Sequence, residues 1–252
     1  MVTDNQKWFL TGEREERPKR LFCLPYAGGS AAAYARWRNT VDPRIDLVPV
    51  QLPGRGARIR EKPIDRIDTL ARQLADAMTS RLDRPFALFG HSMGSVLAFE
   101  TARALRHAGA PMPSALFVSA RRGPQTISNR PPLHSLPDTE LVARLHALGG
   151  TPAAVLEDEE MLRLMLPVVR ADLKAAETYE PSPEPPLGCP IHAFGGRQDQ
   201  ISEDALSAWS AVTTRGFALT MFDGGHFFLS EHSGAMLAIM ADALIGASAA
   251  SA

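Results

Sequence analysis

The segment 90–94, with the sequence GHSMG, constrains this chain more than any other because a glycine stands two residues to either side of Ser92. It follows an apolar run at 86–89 that predicts a strand, and it precedes an apolar pattern that predicts a helix. A serine between two such elements sits on a sharp, strained turn, and the glycines let strand and helix approach each other. The pattern therefore predicts an exposed nucleophilic hydroxyl at Ser92, above a helix N-terminus that favours an anion.

Strands and helices alternate along most of the chain. The expected strands lie at 20–25, 45–51, 86–89, 115–119, 191–194 and 217–222, and the expected helices at 30–41, 67–82, 96–105, 202–212 and 234–245. Short apolar strands separated by amphipathic helices are typical of a mostly parallel central sheet with helices on both faces. The sequence therefore predicts the α/β fold class.

The alternation stops between about 121 and 187, where two helical patterns occupy 138–148 and 158–178. We expect a single domain over 1–252, with its core at about 19–120 and 188–246 and a mobile helical lid insertion at about 121–187 above Ser92. Methionine adapts to varied shapes, so Met161 and Met165 are expected to line a substrate chamber. The apolar face of the lid is expected to comprise Leu145, Leu148, Met161, Leu164, Met165 and Val168.

A serine hydroxyl is a weak nucleophile, so Ser92 needs a neighbouring base and a group that orients the base. His226 lies in a tight loop directly after the last predicted strand, and Asp199 follows the strand before it. Loops at the carboxyl ends of parallel strands share one edge of the sheet. The order Ser92, Asp199, His226 is that of the α/β-hydrolase fold, so we expect these residues to form a catalytic triad. Asp204 and Asp223 stay open as alternatives to Asp199.

Acyl transfer also needs N–H donors for the negative charge of the tetrahedral intermediate. One is expected to be the backbone N–H of Met93, directly after the nucleophile. The other is expected in the loop after the first predicted strand, PYAGG at 25–29, where Ala27 is the first choice and Tyr26 the alternative. Tyr26 and Phe227 adjoin these groups in sequence and are expected to contact the substrate.

Charge and motifs argue against several other classes of protein. The formal net charge of −1 is unlike the basic excess of a nucleic-acid-binding protein. No apolar run reaches the length of about 18 residues that spans a bilayer, and no secretory segment is apparent. Neither H-E-x-x-H nor paired C-x-x-C motifs occur, so no metal site is expected. Cys23 and Cys189 are expected to be free thiols in a reducing compartment, which predicts a cytoplasmic protein.

Beyond the triad, the chain resembles the type II (editing) thioesterases, free-standing α/β-hydrolases that accompany polyketide synthases and nonribosomal peptide synthetases. The resemblance extends from about residue 20 to residue 244. It rests on LPYAGGS at 24–30, QLPGRG at 51–56, GHSMG at 90–94 and GGHFFL at 224–229, and within the insertion on LHALGGTP at 145–152 and LPVVRADL at 166–173. Ser95 is a small departure, because alanine is commoner there.

The resemblance implies that the protein hydrolyses acyl groups held as thioesters on the phosphopantetheine arm of carrier proteins, which clears stalled or mis-primed synthases. It carries the triad to Ser92, Asp199 and His226, and the oxyanion donors to Ala27 and Met93. The implied partner is an acyl or peptidyl carrier protein that binds transiently, and no cofactor is implied beyond the arm that carries the substrate. We further expect a monomer that binds neither nucleic acid nor membrane.

Three other functions stay open. A carboxylesterase or lipase would use the same triad on free small esters, and a releasing or cyclising thioesterase would be a domain of a megasynthase. A degenerate hydrolase would only bind a carrier. The PYAGG and LPGRG stretches and the insertion favour the carrier-linked hydrolase, and the intact triad argues against a binder.

The loop 54–62 holds three arginines and a lysine in a nearly neutral chain. It follows the second predicted strand and should open on the same edge of the sheet as Ser92. Arginine binds phosphate through its planar fork, and phosphopantetheine contains a phosphodiester. We hypothesise that Arg55, Arg58 or Arg60 helps to dock the carrier, with a plain solvated loop as the alternative.

Overall fold

Six parallel strands form one sheet at the centre of the protein. The computed structural model describes residues 7–10, 17–126, 131–151 and 153–246. Its strands are β1 (Lys19–Leu24), β2 (Ile45–Pro49), β3 (Phe86–His91), β4 (Ala115–Ser119), β5 (Ile191–Gly196) and β6 (Phe217–Phe222). Their order is β2-β1-β3-β4-β5-β6, and every neighbouring pair is parallel. The predicted fold class is confirmed.

The order of the strands indicates where in the sheet the site around Ser92 lies. The chain steps outward from β1 to β2 and then returns past β1 to β3, so the winding reverses between β1 and β3. In open sheets of this kind, ligands bind at the carboxyl ends of the strands beside such a reversal. Here β1 leads into the loop that carries Ala27, and β3 leads into Ser92.

Seven α-helices occur in the described part of the chain. The core contains α1 (Ile67–Met78), α2 (Met93–His107), α6 (Glu203–Ser207) and α7 (Leu229–Gly246), and the insertion contains α3 (Asp138–Leu148), α4 (Ala153–Leu156) and α5 (Glu159–Glu177). The predicted helix at 202–212 consists of α6 followed by a 3₁₀ turn, and α7 begins five residues before the predicted 234. α4 has no counterpart among the predicted helices.

Both faces of the sheet are buried, because alternate residues of each strand point to opposite sides. In β1, Phe22 and Leu24 join the apolar cluster that includes α1 and α2, whereas Leu21 and Cys23 join the cluster that includes α7. The strands are therefore continuously apolar, as expected for a parallel sheet covered on both sides.

The predicted helix at 30–41 is wrong in type, although Ser30 does cap its start by accepting a hydrogen bond from the Ala32 N–H. The segment forms two 3₁₀ turns, Ala31–Tyr34 and Arg36–Asn39. Its buried side chains, Ala31, Tyr34 and Trp37, recur every three residues. A period of three keeps them in line on one side of a 3₁₀ helix, whereas the same row would drift by about 60° per step around an α-helix.

The insertion packs partly on itself and partly into the core. Helices α3, α4 and α5 share a small apolar cluster of Leu141, Leu145, Leu156, Leu166 and Val169, whereas Ala175 and Ala176 at the end of α5 belong to the core cluster beside α2. The C-terminal half of α5, beyond Pro167, is therefore an anchored part of the domain. The predicted mobility of the lid stays a prediction.

The predicted apolar face of the lid is correct for Leu145 and Val168, which are buried. Leu148 and Met165 are half-buried, and Met165 packs against the lid cluster. The prediction is wrong for Met161 and Leu164, which are 45 % and 60 % exposed. The inward face of α5 follows the helical spacing of its other apolar residues, Leu162, Leu166, Val169 and Leu173, and both exposed residues fall outside that stripe.

Candidate active site

The turn at Ser92 has the strained geometry that the motif predicts. Its backbone dihedral angles are φ 53° and ψ −115°, a region that non-glycine residues rarely adopt. A Cβ atom at Gly90 would lie 2.0 Å from the Gly94 carbonyl oxygen, and one at Gly94 would lie 2.4 Å from the Leu24 carbonyl oxygen. Both obstacles are backbone atoms, so only glycine lets β1, β3 and α2 meet here.

Ser95 holds this turn against β4. Its hydroxyl lies 2.9 Å from the Gly90 carbonyl oxygen and accepts the Ser119 N–H at 3.0 Å, while the Ser92 N–H donates to the Ser119 carbonyl at 2.8 Å. The sequence analysis does not predict this role of Ser95. From the sequence, the available signal is a hydroxyl three residues beyond Ser92, at a position where alanine is commoner.

The structure brings Ser92, His226 and Asp199 together. His226 Nε2 lies 3.1 Å from Ser92 Oγ, and His226 Nδ1 lies 2.9 Å from Asp199 Oδ2. Because the carboxylate can only accept, the network assigns the proton to Nδ1 and leaves Nε2 to accept from the serine hydroxyl. The Asp199 side chain is 4 % exposed, whereas Asp223 is 83 % exposed and Asp204 lies in the exposed first turn of α6. The geometry thus selects Asp199 among the three candidates.

The loops that carry Asp199 and His226 are tied to each other. The Gln198 N–H donates to the Gly224 carbonyl, and the Gly224 N–H donates to the Gln198 side chain. A Cβ atom at Gly196 would lie 2.5 Å from the carbonyl oxygens of Gly224 and Gly225. This close approach holds the acid and the base at a fixed separation.

The expected oxyanion donors lie on adjoining segments. Met93 is the first residue of α2, where no intrahelical acceptor exists for its N–H. Among the hydrogen bonds of the described residues, the Ala27 N–H has no acceptor in the protein either. Gly94 meets the backbone of Leu24 and Pro25, which brings the start of α2 against the segment that leads to Ala27. Both N–H groups are therefore available to a ligand beside Ser92.

A cluster of rings surrounds the base. The His91 ring is buried 5.4 Å from the His226 ring, and its Nδ1 lies 2.9 Å from Ser119 Oγ. Burial holds the pKa of His91 well below its ordinary value, and the nearby His226 acts in the same direction. His91 is therefore neutral in the folded protein at neutral pH and adds no charge beside the base.

Of the two aromatic residues expected to contact the substrate, Phe227 lies beside His226 and Tyr26 packs against Phe227. The Phe227 ring lies 4.9 Å from the Tyr26 ring and 5.3 Å from the His226 ring. A Cβ atom at Gly150, in the lid, would lie 2.1 Å from Phe227 Cζ. The lid therefore touches the site at this ring.

Of the two methionines expected to line a substrate chamber, Met161 is exposed, and Met165 is half-buried and packs against the lid cluster. Two cavities, of about 420 Å³ and about 820 Å³, lie along α5 around Pro167 and Arg170. No triad residue lines either of them. The position of the substrate's acyl chain in the protein therefore stays a prediction.

The hypothesis that Arg55 and Arg58 dock a partner is wrong, because both side chains are only 7 % exposed. Arg55 binds Asp172 of α5, and Arg58 binds Glu61 and stacks 4.2 Å from the Trp8 ring centre. The sequence shows that arginines are frequent in this loop. It does not show the carboxylates to which Arg55 and Arg58 bind in the folded protein. Arg60, the third candidate of this loop, is exposed.

The described residues lack two further features. They contain no group of three or more histidine, cysteine, aspartate or glutamate side chains placed to hold a metal ion. None of their helices combines the length and the apolar character that crossing a membrane requires.

Comparison with known proteins gives a consistent result. A family model described as "Thioesterase domain" matches residues 19–244. The chain is 38 % identical over 241 residues to the gramicidin S biosynthesis protein GrsT of Aneurinibacillus migulanus, covering 95 % of this chain and 94 % of GrsT.

Solved structures are similar over nearly the whole chain. The type II thioesterase BorB from the borrelidin biosynthetic cluster is 45 % identical with a TM-score of 0.87, covering 94 % of this chain and 97 % of BorB. RedJ, a thioesterase from the prodiginine biosynthetic pathway in Streptomyces coelicolor, is 41 % identical with a TM-score of 0.86, covering 93 % of this chain and 96 % of RedJ.

Proposed function

Because this chain belongs to the thioesterase family, we propose that it is a type II thioesterase that hydrolyses acyl groups from the phosphopantetheine arm of carrier proteins in polyketide or nonribosomal peptide synthesis. The observation that carries the proposal is the double contact of His226, 3.1 Å from the Ser92 hydroxyl and 2.9 Å from the Asp199 carboxylate. This arrangement activates a serine for attack on a carbonyl.

The reaction proceeds in two steps. Ser92 Oγ attacks the thioester carbon while its proton moves to His226 Nε2, and the N–H groups of Ala27 and Met93 stabilise the oxyanion. The tetrahedral intermediate collapses, and the arm leaves as a thiol with the proton from His226. Water then gives a proton to His226 and attacks the acyl-serine, after which the free acid leaves and the proton returns to Ser92. Asp199 stabilises the imidazolium in both steps.

Substrate contacts follow from the ring cluster and the lid. Phe227 stands beside His226 and Tyr26 beside Phe227, so both contact the part of the acyl group nearest the carbonyl. Met165 is half-buried in the lid, and Met161 is exposed to an acyl chain of the substrate that passes along the outer face of α5. No bound cofactor takes part, because the triad supplies the nucleophile, the base and the charge stabilisation.

The partner is an acyl or peptidyl carrier protein that binds transiently to the monomer. Arg60 is exposed, and its guanidinium is suited to bind a phosphodiester or an acidic helix. The protein acts in the cytoplasm, and its buried, free Cys23 and Cys189 agree with a reducing compartment.

The test is release of acyl groups from a panel of acylated carrier proteins, from acyl thioesters of small thiols and from the matching oxygen esters. Wild-type protein should act on carrier-bound thioesters, and Ser92→Ala should lose activity by about 10⁴-fold or more while keeping its melting temperature. Ser210→Ala, at an exposed serine, is the matched control and should stay fully active.

Substantial turnover by Ser92→Ala would refute the mechanism. Hydrolysis of oxygen esters without release from any carrier would instead favour the carboxylesterase alternative. Binding of carriers without turnover by the wild type would favour the non-catalytic alternative.

A further inference from the structure

One carboxylate joins the lid helix to the loop that carries Ala27. Asp172 of α5 is fully buried, and its Oδ2 accepts the Gly28 N–H at 2.8 Å. The same oxygen accepts Arg55 Nη1 at 2.5 Å, while Oδ1 accepts Arg55 Nη2 at 2.8 Å. Three segments distant in sequence therefore meet at one charged group.

Asp172 binds a turn of defined geometry. The Gly29 N–H donates to the Tyr26 carbonyl at 2.8 Å, and Gly28 has φ +75°, which together define a type II turn with Ala27 at its second position. Arg55 also donates to the Gly29 carbonyl at 3.2 Å. The ion pair thus holds one N–H and one carbonyl group of the turn, on either side of the Gly28–Gly29 peptide.

The packing around this turn leaves little room for movement. A Cβ atom at Gly28 would lie 2.7 Å from Val169 Cγ2, one helical turn before Asp172 on α5. Arg55 donates in addition to the Pro53 carbonyl at 3.1 Å. The helix therefore contacts the turn through an apolar side chain and a carboxylate that are three residues apart.

A buried ion pair is weak support for stability, since well-packed apolar residues often serve as well. Charged hydrogen bonds in a fixed fork are instead suited to holding a backbone segment in one geometry. Here the segment held is the one that presents the Ala27 N–H.

We propose that Asp172 and Arg55 are positioning residues of the reaction, which fix the turn at 26–29 so that the Ala27 N–H meets the oxyanion of the transition state. This inference rests on the proposed function. It makes the lid helix part of the catalytic apparatus, since the carboxylate that sets the oxyanion donor belongs to α5.

A displaced oxyanion donor affects the transition state and not the bound substrate, so the loss should appear in kcat. Loss of one such donor lowers kcat by about 10²- to 10³-fold. A donor that is displaced but still present should lower kcat by no more than this. We expect Asp172→Asn and Arg55→Lys to lower kcat by about 10- to 10³-fold, with KM near the wild-type value.

Arg58→Lys is the matched control, because Arg58 lies in the same loop, is equally buried and also binds a carboxylate. Its side-chain hydrogen bonds among the described residues go to Glu61 and Gln51 and not to the turn. It should keep wild-type kcat. Lysine retains the charge in both substitutions and loses only the planar fork.

The experiment measures kcat and KM with an acyl thioester of a small thiol, together with the affinity for a trifluoromethyl ketone that forms a tetrahedral adduct on Ser92. Affinity for the ketone should fall by the same factor as kcat/KM in Asp172→Asn and Arg55→Lys, and should be unchanged in Arg58→Lys. Hydrogen exchange at the Gly28 amide should accelerate in Asp172→Asn only.

Unchanged kcat in folded Asp172→Asn or Arg55→Lys would overturn the inference while leaving the proposed function intact, as would an equal loss in Arg58→Lys. If Asp172→Asn does not fold, Arg55→Lys decides. If the wild type hydrolyses no thioester, the proposed function fails, and ketone affinity and Gly28 exchange still decide whether Asp172 sets the turn.

Discussion

Replacing Ser92 by glycine should make the protein more stable than replacing it by alanine. Both substitutions remove the hydroxyl, so they differ only in the Cβ atom and in backbone freedom. Ser92 has φ 53° and ψ −115°, where a Cβ atom is strained and glycine is not. The comparison therefore isolates the strain stored at the nucleophile.

The expected magnitude follows from two opposing effects. A non-glycine residue in a sparsely populated backbone region costs about 1–3 kcal/mol. Glycine loses more conformational freedom on folding, which opposes the gain by about 0.5–1 kcal/mol. The net difference is about 1 kcal/mol in favour of Ser92→Gly, which raises the melting temperature by about 2–4 °C in a chain of this length.

Ser95 provides a control of opposite sign. It lies only three residues further on, inside α2, where glycine is about 1 kcal/mol worse than alanine. Thermal and urea unfolding of Ser92→Gly, Ser92→Ala, Ser95→Gly and Ser95→Ala should therefore give opposite orders at the two positions. If Ser92→Gly melted at or below Ser92→Ala, the turn would store no strain and the reasoning would be refuted.

Three further outcomes are expected. Asp199→Asn should lower kcat by about 10⁴-fold because it favours the wrong imidazole tautomer, whereas Asp204→Asn should stay active in the same thioester assay. Gly150→Ala should displace Phe227, whose Cζ lies 2.1 Å from the new Cβ, and should raise KM for acyl thioesters; unchanged KM would show that this contact is irrelevant to the substrate. Because burial holds the pKa of His91 below its ordinary value of about 6.5, only the unfolded chain gains a proton there as the pH falls, so the free energy of unfolding should decrease below about pH 6.5. Urea unfolding across pH should show a flatter decrease in His91→Asn, and an identical slope would contradict the assignment.

Local signals were enough to predict the sheet and the meeting of the three site residues. Each strand of a parallel sheet is marked by its own apolar run, and Ser92, Asp199 and His226 each follow such a run within five residues. The carboxyl ends of parallel strands lie on one edge, so the topology places these residues together without knowledge of any contact.

The buried ion pair could not be predicted, because it depends on a contact between residues that are far apart in the sequence. Arg55 and Asp172 are 117 residues apart, and each looks like an ordinary surface charge in its own segment. A signal for Asp172 did exist, since it lies at helical spacing from the apolar residues Val168, Val169 and Ala176. A charged residue on an otherwise apolar stripe indicates a buried ion pair, but it does not identify the partner.

The contact between Gly28 and Asp172 can form only after both residues have been synthesised. The two residues are separated by 144 positions, and Ser92 and His226 by 134. At a translation rate of about 5–20 residues per second, about 7–29 s pass between Gly28 and the residue that holds it. The nucleophile therefore leaves the ribosome well before its base, and the turn at Gly28 well before its anchor. A nascent chain cannot use this triad until His226 has been synthesised and has reached Ser92.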